Sequence, residues 1–289
     1  MRRKTIGVTV LALGLLAAAC ANAPKGGGAQ GGGISYPSET TQLVLRIDSS
    51  GGFVAPQSTL ANLPMFSLYG DGLVVMPGVE TMIYPGAALP AVAQERLTPE
   101  AIQLLLQAAV DAGLNTDREL TDMGSVGVSD MPTTTFTLVI DGQTHTTHVY
   151  ALGQTNSKPD GMSQTEYQAR QDLQAFETKA MDLSWLPQGS ISDSGAFQPD
   201  GLRVFVSDYH GDKTLTEPAV AWPLTPALGS FGDPMQGALQ GMRCGTVTGA
   251  DATTLLPAVQ NANELTPWTS DGSSYSLVFR ALLPDEHGC

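Results

Sequence analysis

Positive charge is scarce in this chain: 14 lysines and arginines stand against 28 acidic residues, a formal net charge of −14. Such a surface is repelled by phosphate backbones, so nucleic acid is not an expected partner. Aromatic residues make up only 6% of the chain. Its three tryptophans, Trp185, Trp222 and Trp268, each lie beside or near a proline. They read as core or inter-module packing rather than as a carbohydrate platform. Catalytic signatures are missing too: there is no G-x-S-x-G, no S-x-x-K and no H-E-x-x-H, the patterns that would announce a serine nucleophile or a zinc protease. No cofactor is expected, and enzymatic activity is the weaker expectation.

No long apolar run is present. The N-terminus orders a basic stretch (Met1 to Lys4), an apolar stretch from Ile6 to Leu16 and the small residues Ala17, Ala18 and Ala19 before Cys20. Eleven apolar residues fall short of the roughly 18 to 20 that a spanning helix needs, so the stretch reads as an export signal rather than an anchor. Small residues ending on a cysteine resemble the lipobox of bacterial lipoproteins, with Ala17 where that family usually carries Leu. The resemblance implies cleavage before Cys20, a diacylglycerol on its thiol, and a body held on the extracytoplasmic face of a membrane. An ordinary signal peptide, cut near Ala19 or Ala23, is the alternative. Two or three acyl chains, at about 0.8 kcal/mol per buried CH₂, would make the attachment lasting. Loss of Arg2, Arg3 and Lys4 with the signal would leave 11 basic residues against 28 acidic ones.

Residues 20–42 are expected to be a Gly-rich tether with few large apolar side chains; about twenty such residues reach roughly 25 Å. Cysteine is sparse: with Cys20 taken by lipid, Cys244 and Cys289 remain. An even remainder outside the cytoplasm suggests a disulfide, worth roughly 4 kcal/mol for a loop of about 45 residues. Two unpaired thiols are the alternative.

The body carries 32 glycines, 19 prolines and 42% apolar residues, enough for many turns around a substantial core. Thr98-Pro99-Glu100 reads as a helix start ahead of Ile102, Leu105, Leu106 and Ala109, with Gly113 as the stop. Ser163 with Glu166 forms a capping box for a second helix to about Leu183. Thr248 and Asp251 open a third, which Pro257 weakens. Alternating runs at Gln42–Asp48, Met65–Tyr69, Leu73–Met76, Thr134–Ile140, Thr144–Tyr150, Leu202–Ser207, Cys244–Val247 and Tyr275–Leu282 read as strands, and Asp141-Gly142 as a hairpin turn. The fold class expected is α+β: two antiparallel β-rich modules, 43–155 and 190–289, each with a packed helix, joined by a linking helix over 160–187. Leu97-Thr98-Pro99-Glu100-Ala101 with Leu104-Leu105 is similar to Val247 through Ala252 with Leu255-Leu256, which leaves a duplicated module open.

Candidate sites are few. His145 and His148 lie on an alternating segment, where positions three apart face opposite ways and do not share an ion. Asp208, His210 and Asp212 form a polar turn with part of a calcium-loop pattern but without its closing glutamate, a weak metal candidate best read as an exposed turn. Glu80, Glu95, Glu100, Asp111, Asp130 and Asp160 read as a solvated acidic surface. Phe66 to Gly72, Leu97 to Glu100 and Asp130 to Phe136 together resemble bacterial surface lipoproteins of unknown function, a likeness over most of the body that implies an address and no chemistry. The expected function is therefore a non-enzymatic envelope protein that binds a protein, peptide or wall component. The alternatives are an extracytoplasmic hydrolase with a site built from distant residues, and a cation-binding surface protein.

Overall fold

The computed structural model describes residues 33–155, 157–211 and 214–289; the expected signal over 1–19 and the lipidation site Cys20 lie outside them. Among the described residues the fold is α+β, with three α-helices and two sheets. Strands β1 (Leu43–Gly51), β2 (Phe66–Tyr69), β3 (Leu73–Pro77) and β4 (Val92–Leu97) precede helix α1 (Pro99–Asp111). Then follow β5 (Arg118–Leu120), β6 (Pro132–Ile140), β7 (Gln143–Tyr150), helix α2 (Gln164–Met181) and β8 (Ile191–Ala196). The second half comprises β9 (Gly201–Asp208), β10 (Val220–Ala221), β11 (Asp233–Pro234), β12 (Arg243–Thr248), helix α3 (Gly249–Gln260), β13 (Trp268–Ser270) and β14 (Ser273–Ala281). The first sheet runs β5-β7-β6-β1-β2-β3-β4-β8 and the second β10-β13-β14-β9-β12-β11. Pairing is antiparallel except at the edges, where β5 lies parallel to β7 and β10 to β13.

Local chemistry explains where the elements start and turn. Thr98 accepts a hydrogen bond from the Ala101 N–H and Ser163 one from the Glu166 N–H, each capping its helix. Asp141-Gly142 and Asp271-Gly272 all have positive φ, the geometry of two-residue hairpin turns. Along β6, Phe136, Leu138 and Ile140 alternate with Thr135, Thr137 and Val139, and the buried set packs in the core with α1. Ile102, Leu105, Leu106 and Ala109 of α1 and Leu173, Phe176 and Ala180 of α2 complete that core, each large apolar side chain contributing about 1.5–3 kcal/mol on burial. The second core gathers Trp222, Trp268, Phe279 and Phe231 edge to face, against Leu255 and Val259 of α3. Helix α3 continues through Pro257.

Three expectations are corrected, and one possibility left open is not shown. Residues 33–42 belong to the body rather than to a tether: Ile34 and Tyr36 pack on the first core, and the backbone oxygens of Pro37 and Glu39 come so close to Gly70 that a Cβ there would stand 2.6 Å from each. Helix α2 does not link two modules. It lies beside α1 on the first sheet, stapled by the buried Arg170, which donates to the carbonyl oxygens of Tyr150, Leu120 and Asp122. Strand β8, assigned above to the second module, pairs with β4 at the edge of the first sheet. A duplication is not shown: β6, the first strand of its hairpin, joins β1, whereas β14, the second strand of its hairpin, joins β9.

The sheets meet along a seam. Tyr69, Leu73, Val75 and Val92 of the first pack with Ala281 and Leu283 of the second half. The long loop between β3 and β4 also crosses, seating Ala88 in the second core, with its N–H donated to the Ala262 carbonyl.

Candidate functional site

The polar centre of the molecule lies in the seam. Leu45 and Ile47 face the helices, so the strand alternation turns Arg46 to the other side. There its guanidinium donates two hydrogen bonds to Asp285 at 3.0 and 2.8 Å and one to the Tyr69 hydroxyl; that hydroxyl in turn donates to Asp285. On the second sheet Arg203 and Arg280 stand directly opposite each other across β9 and β14. Such a like-charge pair is destabilising unless an anion joins it. Glu286 does so, accepting from Arg280 at 2.7 and 2.8 Å and lying 4.0 Å from Arg203. Burial alone would raise both carboxyls, but their hydrogen bonds from arginine hold Asp285 and Glu286 below the ordinary carboxylate range. Burial pushes the Tyr69 phenol up.

Every oxygen of these two carboxylates accepts at least one hydrogen bond, and each carboxylate is held in an ion pair with arginine. The segment that carries them is a strap, and the Cys244–Cys289 disulfide ties down its end. One wall of an adjoining cleft of about 610 Å³ is made by Leu282, Leu283 and Pro284 of this strap, facing Phe197, Leu73 and Leu256.

The sequence-predicted candidates do not converge. His145 lies 4.0 Å from Asp117 and His148 3.6 Å from Glu119, so each meets its own acid. Asp208 and His210 are exposed at the end of β9, and Asp212 lies outside the described residues. Among the described residues no group of three or more His, Cys, Asp or Glu is placed to hold a metal ion. Trp222 and Trp268 are core; Trp185 is half-exposed, with the Lys179 ammonium 5.6 Å from its ring centroid. Glu95 departs from a solvated role: its Oε2 is buried without a partner, and burial raises its carboxyl.

No protein-family model, curated protein or solved structure matches the chain. The surface feature that stands out is apolar.

Registers define two ends of the first sheet. Leu43, Tyr69, Ile140 and the Asp141-Gly142 turn share the near end, where Ser35 and Asp141 exchange hydrogen bonds. Gly51, Phe66, Pro77 and Pro132 share the far end. At that far pole Phe53 is 90% exposed and Val79 97%, with Val54, Met82, Ile83 and Tyr84 also open to solvent. Each loop borders its own cleft, one of about 640 Å³ with Gly78 and Glu80 in its wall and one of about 800 Å³ with Phe53 and Val54, and the two clefts share Ser49 and Asn62. The sequence reading passed over the pole because Phe53-Val54 and Val79 to Tyr84 sit in glycine- and proline-bounded loops without periodicity.

Proposed function

We propose that the protein is a lipoprotein anchored through Cys20 on the extracytoplasmic face of a membrane, whose folded body is a binding module rather than an enzyme. The observation that carries the binding reading is the far pole. Large apolar side chains exposed on two loops at one end of a sheet are a recurrent mark of a binding surface, and no core cluster uses these six. The address rests on residues 1–20. Gly33, the first described residue, lies close to Gln103 of α1 and two residues before Ser35 at the near end. Nine residues of β1 span about 30 Å, so a body hung from that end holds its apolar pole away from the bilayer. The hydrolase and cation-binding alternatives have less support, since both seam carboxylates are engaged in ion pairs with arginine.

Intact mass spectrometry of the protein purified from its own membranes tests the address. A chain starting at Cys20 and carrying a diacylglycerol is expected, and an unmodified chain overturns the anchor. A photo-crosslinking residue in place of Met82 tests the pole: discrete adducts in cells are expected there, with none from the same residue in place of the exposed Glu119. No adduct at 82 overturns the binding reading.

A further inference from the structure

We infer that the far pole receives a cationic, apolar segment of a protein partner, a proposal that rests on the binding reading above. The apolar side chains are held out by pinned backbone. Gly78 donates to the Ala91 carbonyl at 2.7 Å, and Glu80 accepts from the Ala91 N–H at 2.8 Å. Further along, Glu264 accepts from the Gly86 N–H at 2.9 Å, and Ala88 is buried in the second core. Only the tip, Val79 to Tyr84, is left projecting. The Phe53 loop is fixed in the same way, its N–H donated to the Asp130 carbonyl at 3.1 Å. A surface already ordered loses little entropy when a partner arrives.

Charge selects the occupant. The loops of this pole, residues 48–65, 77–91, 121–132 and the 157–163 stretch packed against the last of these, contain Asp48, Glu80, Asp122, Asp130 and Asp160 against a single cation, Lys158. Arg46 and Arg280 reach the larger cleft, but both are already paired with the strap carboxylates. A second copy of the chain would set acid against acid, and an anionic bilayer would be repelled. A segment with apolar side chains flanked by lysine or arginine meets both the exposed apolar tip and the acidic rim.

The test uses the full chain carrying Cys20→Ser, which needs no detergent, and a synthetic Leu/Lys peptide, with a Leu/Ser peptide of the same pattern as control. Calorimetry should show the Leu/Lys peptide binding more tightly than the Leu/Ser peptide, and more weakly as salt is raised. Met82→Asp with Ile83→Asp should weaken it by about tenfold or more, and Asp48→Asn with Asp130→Asn should flatten the salt dependence, all with unchanged thermal unfolding. Equal binding of the Leu/Ser peptide overturns the cationic partner, as does pole-dependent self-association or pole-dependent binding to phosphatidylglycerol vesicles. Should neither peptide bind while position 82 still crosslinks in cells, this proposal fails and the binding reading stands; without crosslinks, both fail.

Discussion

Replacing Glu286 by Gln is the most direct probe of how the two halves are held together. The carboxylate accepts both terminal nitrogens of Arg280 and the Leu283 N–H, and it is the anion nearest Arg203. Gln keeps the shape and one acceptor but removes the charge. That leaves two arginines opposed across β9 and β14, with Arg280 only 7% exposed at its side chain. Stranding a buried charge costs about 3–5 kcal/mol. Arg280 keeps its bond to the Asn62 carbonyl, and Glu286 touches some solvent, which places the loss near the low end, at about 3 kcal/mol. For a chain of this size that is a fall of about 6–12 °C in Tm, read by thermal and urea unfolding.

The acid profile supplies the second half of the test. Glu286 is held below its unfolded value, so the unfolded chain binds the extra proton; its stabilisation is present above about pH 4.3 and is lost as pH falls through the lower folded value. Glu286→Gln should therefore be destabilised at pH 7 and converge on the wild type in acid. A loss under about 1 kcal/mol at pH 7, with an acid profile parallel to the wild type, would refute the strap as the clamp of the seam.

Two further outcomes follow from the same geometry. Cys289→Ser opens a loop with a sequence separation of 45 and should cost about 4 kcal/mol in urea unfolding; a midpoint equal to that of the oxidised wild type counts against the bond as a tie for the strap. Gly70→Ala drives a methyl into the carbonyl oxygens of Pro37 and Glu39, so about 1–3 kcal/mol should be lost and cleavage within residues 33–42 should speed up under limited proteolysis. Unchanged stability and cleavage would mean that this segment does not depend on Gly70.

Much of the fold was legible because its signals are local. The Thr98-Pro99-Glu100 start, the Ser163 cap, the Asp-Gly turn and eight alternating runs each needed only a few neighbouring residues to show. Strand β4, Val-Ala-Gln-Glu-Arg-Leu, shows no clean alternation. Strand β8 is exposed at every position, so no apolar pattern marked it; backbone pairing to β4 alone makes it a strand. The placement of α2 was missed because its amphipathic face names no partner. The choice between linker and cover fell to Arg170, whose carbonyl acceptors lie 20 to 50 residues away in the chain.

By itself the sequence determined the net acidity, the helix starts and the hairpin turn, and it pointed to Cys244 and Cys289 as the pair that bonds. Each depends on composition, on counting or on chemistry within a few residues. Tertiary structure alone decided the seam and the pole. Arg46 and Asp285 meet across 239 residues, and nothing near either one announces the other. Phe53 and Glu80 border adjoining clefts only once β1, β2 and β3 are in register. Distance along the chain hides such meetings, because a side chain's partner is set by how sheets pack and not by what precedes it.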